Sequence, residues 1–485
     1  MNKIITLFFQ SLTVLLLMVG TTVNAQDTKS YQFEYDGAVY TLYYYEKDNV
    51  IVPEKAVLNR YIKEAFQEKR AFSVPTAIRE EKTDNDVMQT LEFPVKEISP
   101  SAFEECQNLT ALTVPGGINT IGNRAFFRCS SLSKVTIGEG IKVLGSQYDD
   151  YIEGGVFGDC TALTSVELPS TLIAMPGAFS GCTALSSIVL PASVENLDGA
   201  FAYCTSLTSI KIPKSVKLLN ATFSYCKSLE SVVIDDAAIV ESERAFENCK
   251  KLKSVNLGNA ITLIGNGMFK DCSSIESIIL PTSVNTIDKF AFSQCTTLQS
   301  ITMPAVESIG SNAFQLSGLT EVHFPNTLKK IGGAAFNGTN ITTIELPQSL
   351  ETIETSVFSS CANLTTVILP ASIKSIEKYA FQKCTSLSKC YSYIEEPFNT
   401  GEDAFYSGYN KPLYETLYVP KGTLDKYKGM SGWRFRYIVE MENESGISSS
   451  TQTANINSLY SLGGVKQSKA HQGLNISRGK KWIKK

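Results

Sequence analysis

A phenylalanine returns at nearly constant spacing along this chain, and that periodicity restricts the fold more than any other feature. Phe103, Phe126, Phe157, Phe179, Phe201, Phe223, Phe246, Phe269, Phe292, Phe314, Phe336, Phe358, Phe381 and Phe405 are 22 to 24 residues apart, with one gap of 31 between Phe126 and Phe157. Such a period marks a stack of short units, so the usual allotment of about 150 residues per globular domain does not apply. One unit reads Leu207-Thr-Ser-Ile210-Lys-Ile212-Pro213-Lys-Ser-Val216-Lys-Leu-Leu219-Asn-Ala-Thr-Phe223-Ser-Tyr-Cys226, and Leu229 restarts it. The alternation of Ile210 and Ile212 predicts a short strand, and Pro213 ends it because proline has no N–H for a ladder. One unit cannot bury its own apolar side, whereas stacked units can. The expected fold is a β-rich solenoid with a parallel sheet on one face, short turns or helical segments on the other, and a cap at each end.

Eleven of the twelve cysteines stand three residues after a repeat Phe, as in Phe179 and Cys182, Phe201 and Cys204, Phe223 and Cys226, Phe246 and Cys249, and Phe269 and Cys272. These pairs are the expected core. Neighbouring rungs would hold the cysteine Cβ atoms about 4.8 Å apart, slightly beyond the ~3.5–4.5 Å that a disulfide prefers. Free, buried thiols are therefore expected, with small Ser317 and Thr339 filling the same place after Phe314 and Phe336. Metal binding is disfavoured, since the cysteines are some 22 residues apart and His323 and His471 are the only imidazoles.

The pattern L-x-x-I-x-[IL]-P-x-[ST]-[VLI]-x-x-[IL]-x-x-x-[AT]-F-x-x-C-x-x-L resembles the BspA-like class of leucine-rich repeat, over residues 91–420. The resemblance implies a leucine-rich-repeat solenoid of the kind found in exported surface proteins, some of which adhere to host proteins or other cells. No cofactor is expected. This class lacks the Asn ladder of the common leucine-rich repeat and places Pro after the strand instead.

The remaining segments divide the chain around this array. Residues 1–25 carry Lys3, an apolar run from Ile4 to Val19 and the small-residue sequence Val23-Asn24-Ala25, the pattern of a secretory signal peptide. The run is short of the ~20 residues that span a bilayer, and no later segment approaches that length, so no transmembrane span is expected in the mature chain. Residues 26–90 form an N-terminal strand unit and cap, with a hairpin about Asp36-Gly37 and helix-forming composition over 54–71. Residues 421–441 form a C-terminal cap with a short helix opening near Thr423 and with Trp433 and Phe435 over the last rung. The Ser- and Thr-rich stretch 442–457 reads as a linker. Residues 458–485 form a short basic element that resembles the C-terminal sorting signals of Bacteroidetes exported proteins, with a nonspecific cationic tail as the alternative. Secretion or cell-surface display is the expected location.

Charge excludes one partner class. Outside Lys3 and the seven cations of 466–485, 36 Lys and Arg stand against 48 Asp and Glu, a balance that does not suit nucleic acid. Two regions are candidates for contact with a protein or a glycan. The first is the outward sheet face, a shallow ribbon in which Ser209, Lys211, Glu321 and His323 are the polar positions of interest. Its Ser, Thr and Val residues also suit a plain solvated sheet. The second is the insertion 145–155, where Tyr148, Asp149, Asp150, Tyr151 and Glu153 interrupt the array. Insertions in solenoids project as loops, and these side chains could meet a partner, hold calcium or be inert. No nucleophile elbow, phosphate-binding loop or dinucleotide fingerprint occurs, so a non-catalytic recognition or adhesion protein is the expected function. A glycan-capturing accessory protein or a structural surface-layer component is the alternative.

Overall fold

The computed structural model describes residues 28–47, 50–84, 87–145, 154–408, 413–441, 474–477 and 480–483. The insertion residues 146–153, the leader and most of the stretch after 441 lie outside these. Two parallel ladders run along the array. One is built from three- to six-residue strands such as Ser209–Ile212, Ser231–Ile234 and Ser254–Asn256, paired in register rung to rung. The other consists of two-residue strands and single bridges, among them Thr286–Ile287 with Ser308–Ile309, and Ala174 with Asn196. Among the described residues the connections between them are sets of tight turns and not helical segments, the first of the two forms expected.

Backbone conformation explains why turns and not helices form here. The residues two before and two after the repeat Phe hold positive φ in nearly every rung: Ala221 (49°) and Tyr225 (63°), Arg244 (52°) and Asn248 (61°), Ala334 (56°) and Gly338 (71°). A helix cannot continue through such residues. The left-handed residues turn their N–H groups along the solenoid axis, where Tyr203 N donates to Ser224 O and Tyr225 N donates to Glu247 O, both at 2.8 Å. Backbone pairing thus extends around the turn side as well as the sheets. Most of these positions lack glycine, and each costs about 1 kcal/mol of backbone strain.

Between the ladders, the fourteen phenylalanines form one column. Successive ring centroids are 5.1 to 5.8 Å apart and the planes lie within 21° of parallel. Phe126 and Phe157 stack at 5.3 Å despite the 31-residue gap, so the insertion leaves the column in step. At one end Phe103 meets Tyr61, Phe66 and Phe72; at the other Phe405 meets Tyr414, Trp433 and Phe435.

A second column runs beside it. All twelve cysteines are buried and unpaired. Each repeat thiol after the first donates to the carbonyl of the Phe one rung earlier: Cys204 Sγ to Phe179 O at 3.3 Å, Cys226 to Phe201 at 3.2 Å, Cys272 to Phe246 at 3.1 Å. The same carbonyl accepts the N–H of its own rung's Cys, as Phe201 O does from Cys204 N at 3.1 Å. Burial pushes the Cys106 and Cys204 thiols up to about 12, and Cys204 stays protonated as a donor at neutral pH. A third ladder comes from the Ser or Thr after the strand proline, with Ser215 Oγ donating to Val194 O at 2.6 Å and Ser349 Oγ to Leu328 O at 2.6 Å.

The N-terminal region departs from expectation. Strands β1 (Lys29–Tyr35) and β2 (Ala38–Lys47) do form a hairpin about Asp36 and Gly37, both at positive φ. The stretch 54–71, of helix-forming composition, is instead mostly strand. Residues Val50–Tyr61 form β3, followed by a single 3-10 turn at Lys63–Phe66. Pairing overrides propensity here, because β3 is held antiparallel by β2 and parallel by β6 (Val87–Ile98), with Ala56 and Leu58 fully buried. Strand β4 (Arg70–Ser73) begins the first parallel sheet, and β5 (Ala77–Asp84) makes a second hairpin with β6, whose last residues feed the short ladder through Ile98 and Ile121. The C-terminal helix, Leu424–Lys428, starts after Thr423 as expected. Leu474–Ser477 pairs antiparallel with Lys480–Ile483.

Two predictions follow from the columns. Ser317 occupies a cysteine place, yet its buried Oγ has no hydrogen-bond partner because the C–O bond is shorter than C–S and does not reach Phe292 O. Ser317→Cys should raise stability by about 1 kcal/mol in urea titration, by supplying that donor and removing a buried unsatisfied hydroxyl. Ala334→Gly should also stabilise, by up to about 1 kcal/mol, since it removes a Cβ from a left-handed residue; a lower urea midpoint would show that the turn strain is already relieved elsewhere.

Candidate functional site

Strand alternation sends every second side chain of the longer ladder outward, and the parallel register aligns these into two columns. In the middle of the array Ser209, Ser231 and Ser254 make one column, with Lys211, Val233 and Asn256 making the other. Ser209 and Lys211 are both exposed, and Lys211 Nζ lies 2.8 Å from Asp235 Oδ2. Glu321 and His323 are exposed on either side of buried Val322, on a rung that forms no regular strand. Five rungs separate this pair from Ser209 and Lys211, roughly 24 Å at ~4.8 Å per rung. The structure therefore brings each pair together but does not bring the two pairs into one small site.

The insertion residues Tyr148, Asp149, Asp150, Tyr151 and Glu153 lie outside the described residues. Gly145 and Gly154 bracket them at φ of 94° and 92°, a backbone conformation that favours glycine.

The strongest surface feature lies farther along the same face. Strands Thr343–Glu345, Thr366–Leu369, Lys389–Ser392, Tyr414–Val419 and Phe435–Glu440 form an uninterrupted five-stranded parallel sheet. Its outward columns read Thr343, Thr366, Lys389, Thr416, Tyr437 and Glu345, Ile368, Tyr391, Tyr418, Val439. The Tyr391 and Tyr418 rings stack at 4.6 Å and 11°, partly open to solvent, while Tyr437 and Val439 are 55% and 44% exposed. Inward of them, Ile344, Val367, Cys390 and Leu417 are fully buried and hold the strands rigid.

These tyrosines do not stand out in the sequence, because the repeat that marks outward positions becomes irregular before them. Beyond Phe381 the Phe-anchored unit changes length and composition, and Lys-Cys-Tyr-Ser and Tyr-Glu-Thr-Leu-Tyr-Val no longer match the repeat. The alternation within Leu417, Tyr418 and Val419 was the available signal. Trp433 is buried against Phe405 and Tyr427, with Nε1 donating to Phe398 O at 2.9 Å, so its ring belongs to the end of the Phe column.

Several of the remaining charges form surface pairs. Arg128 sits 3.6 Å from both Glu105 and Asp159 in a shallow depression on the turn side, and all three are largely exposed. Exposed pairs of this kind contribute little. Among the described residues, no group of three or more His, Cys, Asp or Glu converges as metal ligands would. Within them, no helix is long and apolar enough to cross a membrane.

The family comparison agrees with this architecture. The family model described as BspA type leucine rich repeat region matches in repeated copies over residues 76–197, 149–237, 216–319 and 307–411. No curated protein matches the chain. Solved structures similar to it include a leucine-rich repeat protein from Bacteroides ovatus, 20% identical, covering 84% of this chain and 100% of that one with a TM-score of 0.43. A leucine rich cell surface protein from Faecalibacterium prausnitzii is 19% identical over 88% and 97% of the two chains, with a TM-score of 0.37. The pneumococcal vaccine antigen PcpA is 18% identical over 85% and 99%, with a TM-score of 0.46. With a family match over most of its length and the Phe and Cys columns that the repeat produces, the chain belongs to the BspA-type leucine-rich-repeat family.

Proposed function

We propose that the protein is an exported, non-catalytic recognition or adhesion protein that binds a protein ligand at the cell surface through the outward sheet face. The observation that carries this reading is the stacked Tyr391–Tyr418 pair on the five-stranded sheet. Tyrosine supplies a large, amphipathic contact area at low entropy cost. Strands hold it more rigidly than a loop would, so little ordering remains to oppose binding. Family membership supports a surface role, and the signal-like residues 1–25 support export. The basic C-terminal element would serve retention at the surface.

Ser209, Lys211, Glu321 and His323 would extend the contact along the ribbon to a partner that spans several rungs. The 145–155 insertion, with Tyr148, Asp149, Asp150, Tyr151 and Glu153, would add a second contact from its own position. The tyrosine pair also favours a glycan as a second reading, because the apolar face of a sugar ring stacks on an aromatic ring and Thr366 and Thr416 lie in the adjoining column.

A binding screen against extracellular-matrix proteins and a glycan array, run at two salt concentrations, tests the reading. A saturable protein hit should weaken by about 2 kcal/mol, or roughly thirtyfold, in the double variant Tyr391→Ala, Tyr418→Ala, with the melting temperature little changed. Hits confined to glycans would move the assignment to capture of a polysaccharide. Binding that is unaltered in the double variant but lost on shortening 147–153 would place the contact in the insertion. No binding at either salt concentration would leave a structural surface component.

A further inference from the structure

The strand Phe435–Glu440 pairs on one side with Tyr414–Val419 and, among the described residues, with no strand on the other. An edge of this kind presents backbone N–H and C=O groups that can template another chain, and proteins usually blunt it with charged side chains, proline or a bulge. The sequence Phe-Arg-Tyr-Ile-Val-Glu contains no proline, and its two charges, Arg436 and Glu440, are of opposite sign and so can pair across a two-fold axis. Its Ile438 is only partly buried, whereas Ile344, Val367, Cys390 and Leu417, in register with it on the preceding strands, are completely buried. The inward column is therefore unfinished at this strand.

Backbone phase identifies the groups on the open edge. Met441 N donates to Val419 O at 2.8 Å, so odd-numbered residues direct their N–H toward the neighbouring strand. Alternation then directs the N–H and C=O of Arg436, Ile438 and Glu440 outward.

We propose that this edge pairs antiparallel with the same strand of a second copy, in a two-fold register that sets Ile438 opposite Ile438. That register places Arg436 opposite the partner's Glu440, twice; Glu440 Oε1 accepts from Gly422 N and Leu424 N within its own chain, which leaves Oε2 for the guanidinium. Tyr437 lies opposite the partner's Val439, also twice. Ile438 and the Arg436–Glu440 positions then become the hydrogen-bonded pairs, as the backbone phase requires. Tyr437 and Val439 occupy the non-hydrogen-bonded positions where side chains approach most closely. Opposite-charge pairs and pairs of an aromatic with a β-branched residue are favourable cross-strand neighbours. Neighbouring registers are worse: centring on Tyr437 or Val439 sets a charge opposite Ile438, and centring on Arg436 or Glu440 sets like charges against each other. The interface is isologous and closes at two copies. It joins two five-stranded sheets into one and carries the outward columns across the two-fold axis, which presents two tyrosine platforms on a single surface. The pairing does not depend on what that surface binds.

Sedimentation of the purified full chain over rising concentration should show a monomer–dimer equilibrium. Arg436→Glu places like charges opposite Glu440 twice and should weaken the dimer about tenfold or more, while Arg436→Lys should retain it. Ile438→Pro removes the N–H at the centre of the interface and should leave only monomer, since proline is tolerated on an exposed edge. Unchanged circular dichroism and thermal melting would show that both variants fold. A wild-type chain that stays monomeric at every concentration overturns the proposal, as does a dimer that neither Arg436→Glu nor Ile438→Pro affects.

Discussion

The backbone carbonyl of the repeat Phe is the point on which the array depends. In most rungs it accepts a hydrogen bond from the N–H three residues on and a second from the thiol of the next rung, as Phe223 O does from Cys226 N and Cys249 Sγ. The ring on the same residue stacks on the rings before and after it at 5.5 to 5.6 Å. One residue therefore closes its own turn, fixes the next rung and fills the core. Buried carbonyls are costly when unpaired, and offset aromatic stacking adds roughly 0.5–1.5 kcal/mol per pair beyond burial. This combination offsets the left-handed residues on both sides of each Phe. Two strained residues per rung are tolerated because the turn they form aims its N–H groups at the neighbouring rung.

The same arrangement explains the choice of cysteine. Leucine would fill the space without donating, and serine donates but falls short, as the unpaired Ser317 Oγ shows. Threonine at 339 takes a different course: its Oγ1 donates at 2.9 Å to Phe336 O within its own rung and lies 3.3 Å from Cys361 Sγ. A thiol is apolar enough for complete burial, long enough to reach the previous rung and, as at Cys204 where desolvation raises its pKa, remains a donor. In this protein cysteine and the Ser or Thr after the strand proline take the bonding role that asparagine has in the common leucine-rich repeat.

Legibility in the sequence follows this periodic chemistry. The period of Phe, the alternation in Ile210 and Ile212 and the break at Pro213 are local and repeated, so the strand ladder and the core could be read from one unit. The left-handed turns could not, because Ala221, Tyr225 and Phe290 are residue types that rarely adopt positive φ. Their conformation is imposed by the rung above. For the same reason the composition of 54–71 misled: Ala56 and Leu58 suit a helix, but two neighbouring strands supply hydrogen bonds that an isolated helix would have to provide for itself. The surface was legible only in part. Ser209, Lys211, Glu321 and His323 do face outward, yet alternation alone could not show that they fall into separate stretches of the face.

Repetition also limits where function can reside. A change at an inward position alters stacking with two neighbours, while an outward position on the sheet meets only the adjacent outward side chains. The outward columns are thus free to vary without disturbing the fold, and they do vary, from Ser and Val in the middle of the array to Tyr391, Tyr418 and Tyr437 near its end. That end is also where the repeat loses its regular length, so the terminal strands are built from residues not bound by the Phe and Cys spacing. Longer strands, Tyr414–Val419 and Phe435–Glu440, become possible there. They form a longer patch than a three-residue rung offers, and it lies beside the only end of the five-stranded sheet where an outer edge still carries partly exposed apolar side chains among the described residues. Recognition and self-association are accordingly expected where the periodic constraint ends, on a surface whose rigidity comes from the periodic core beneath it.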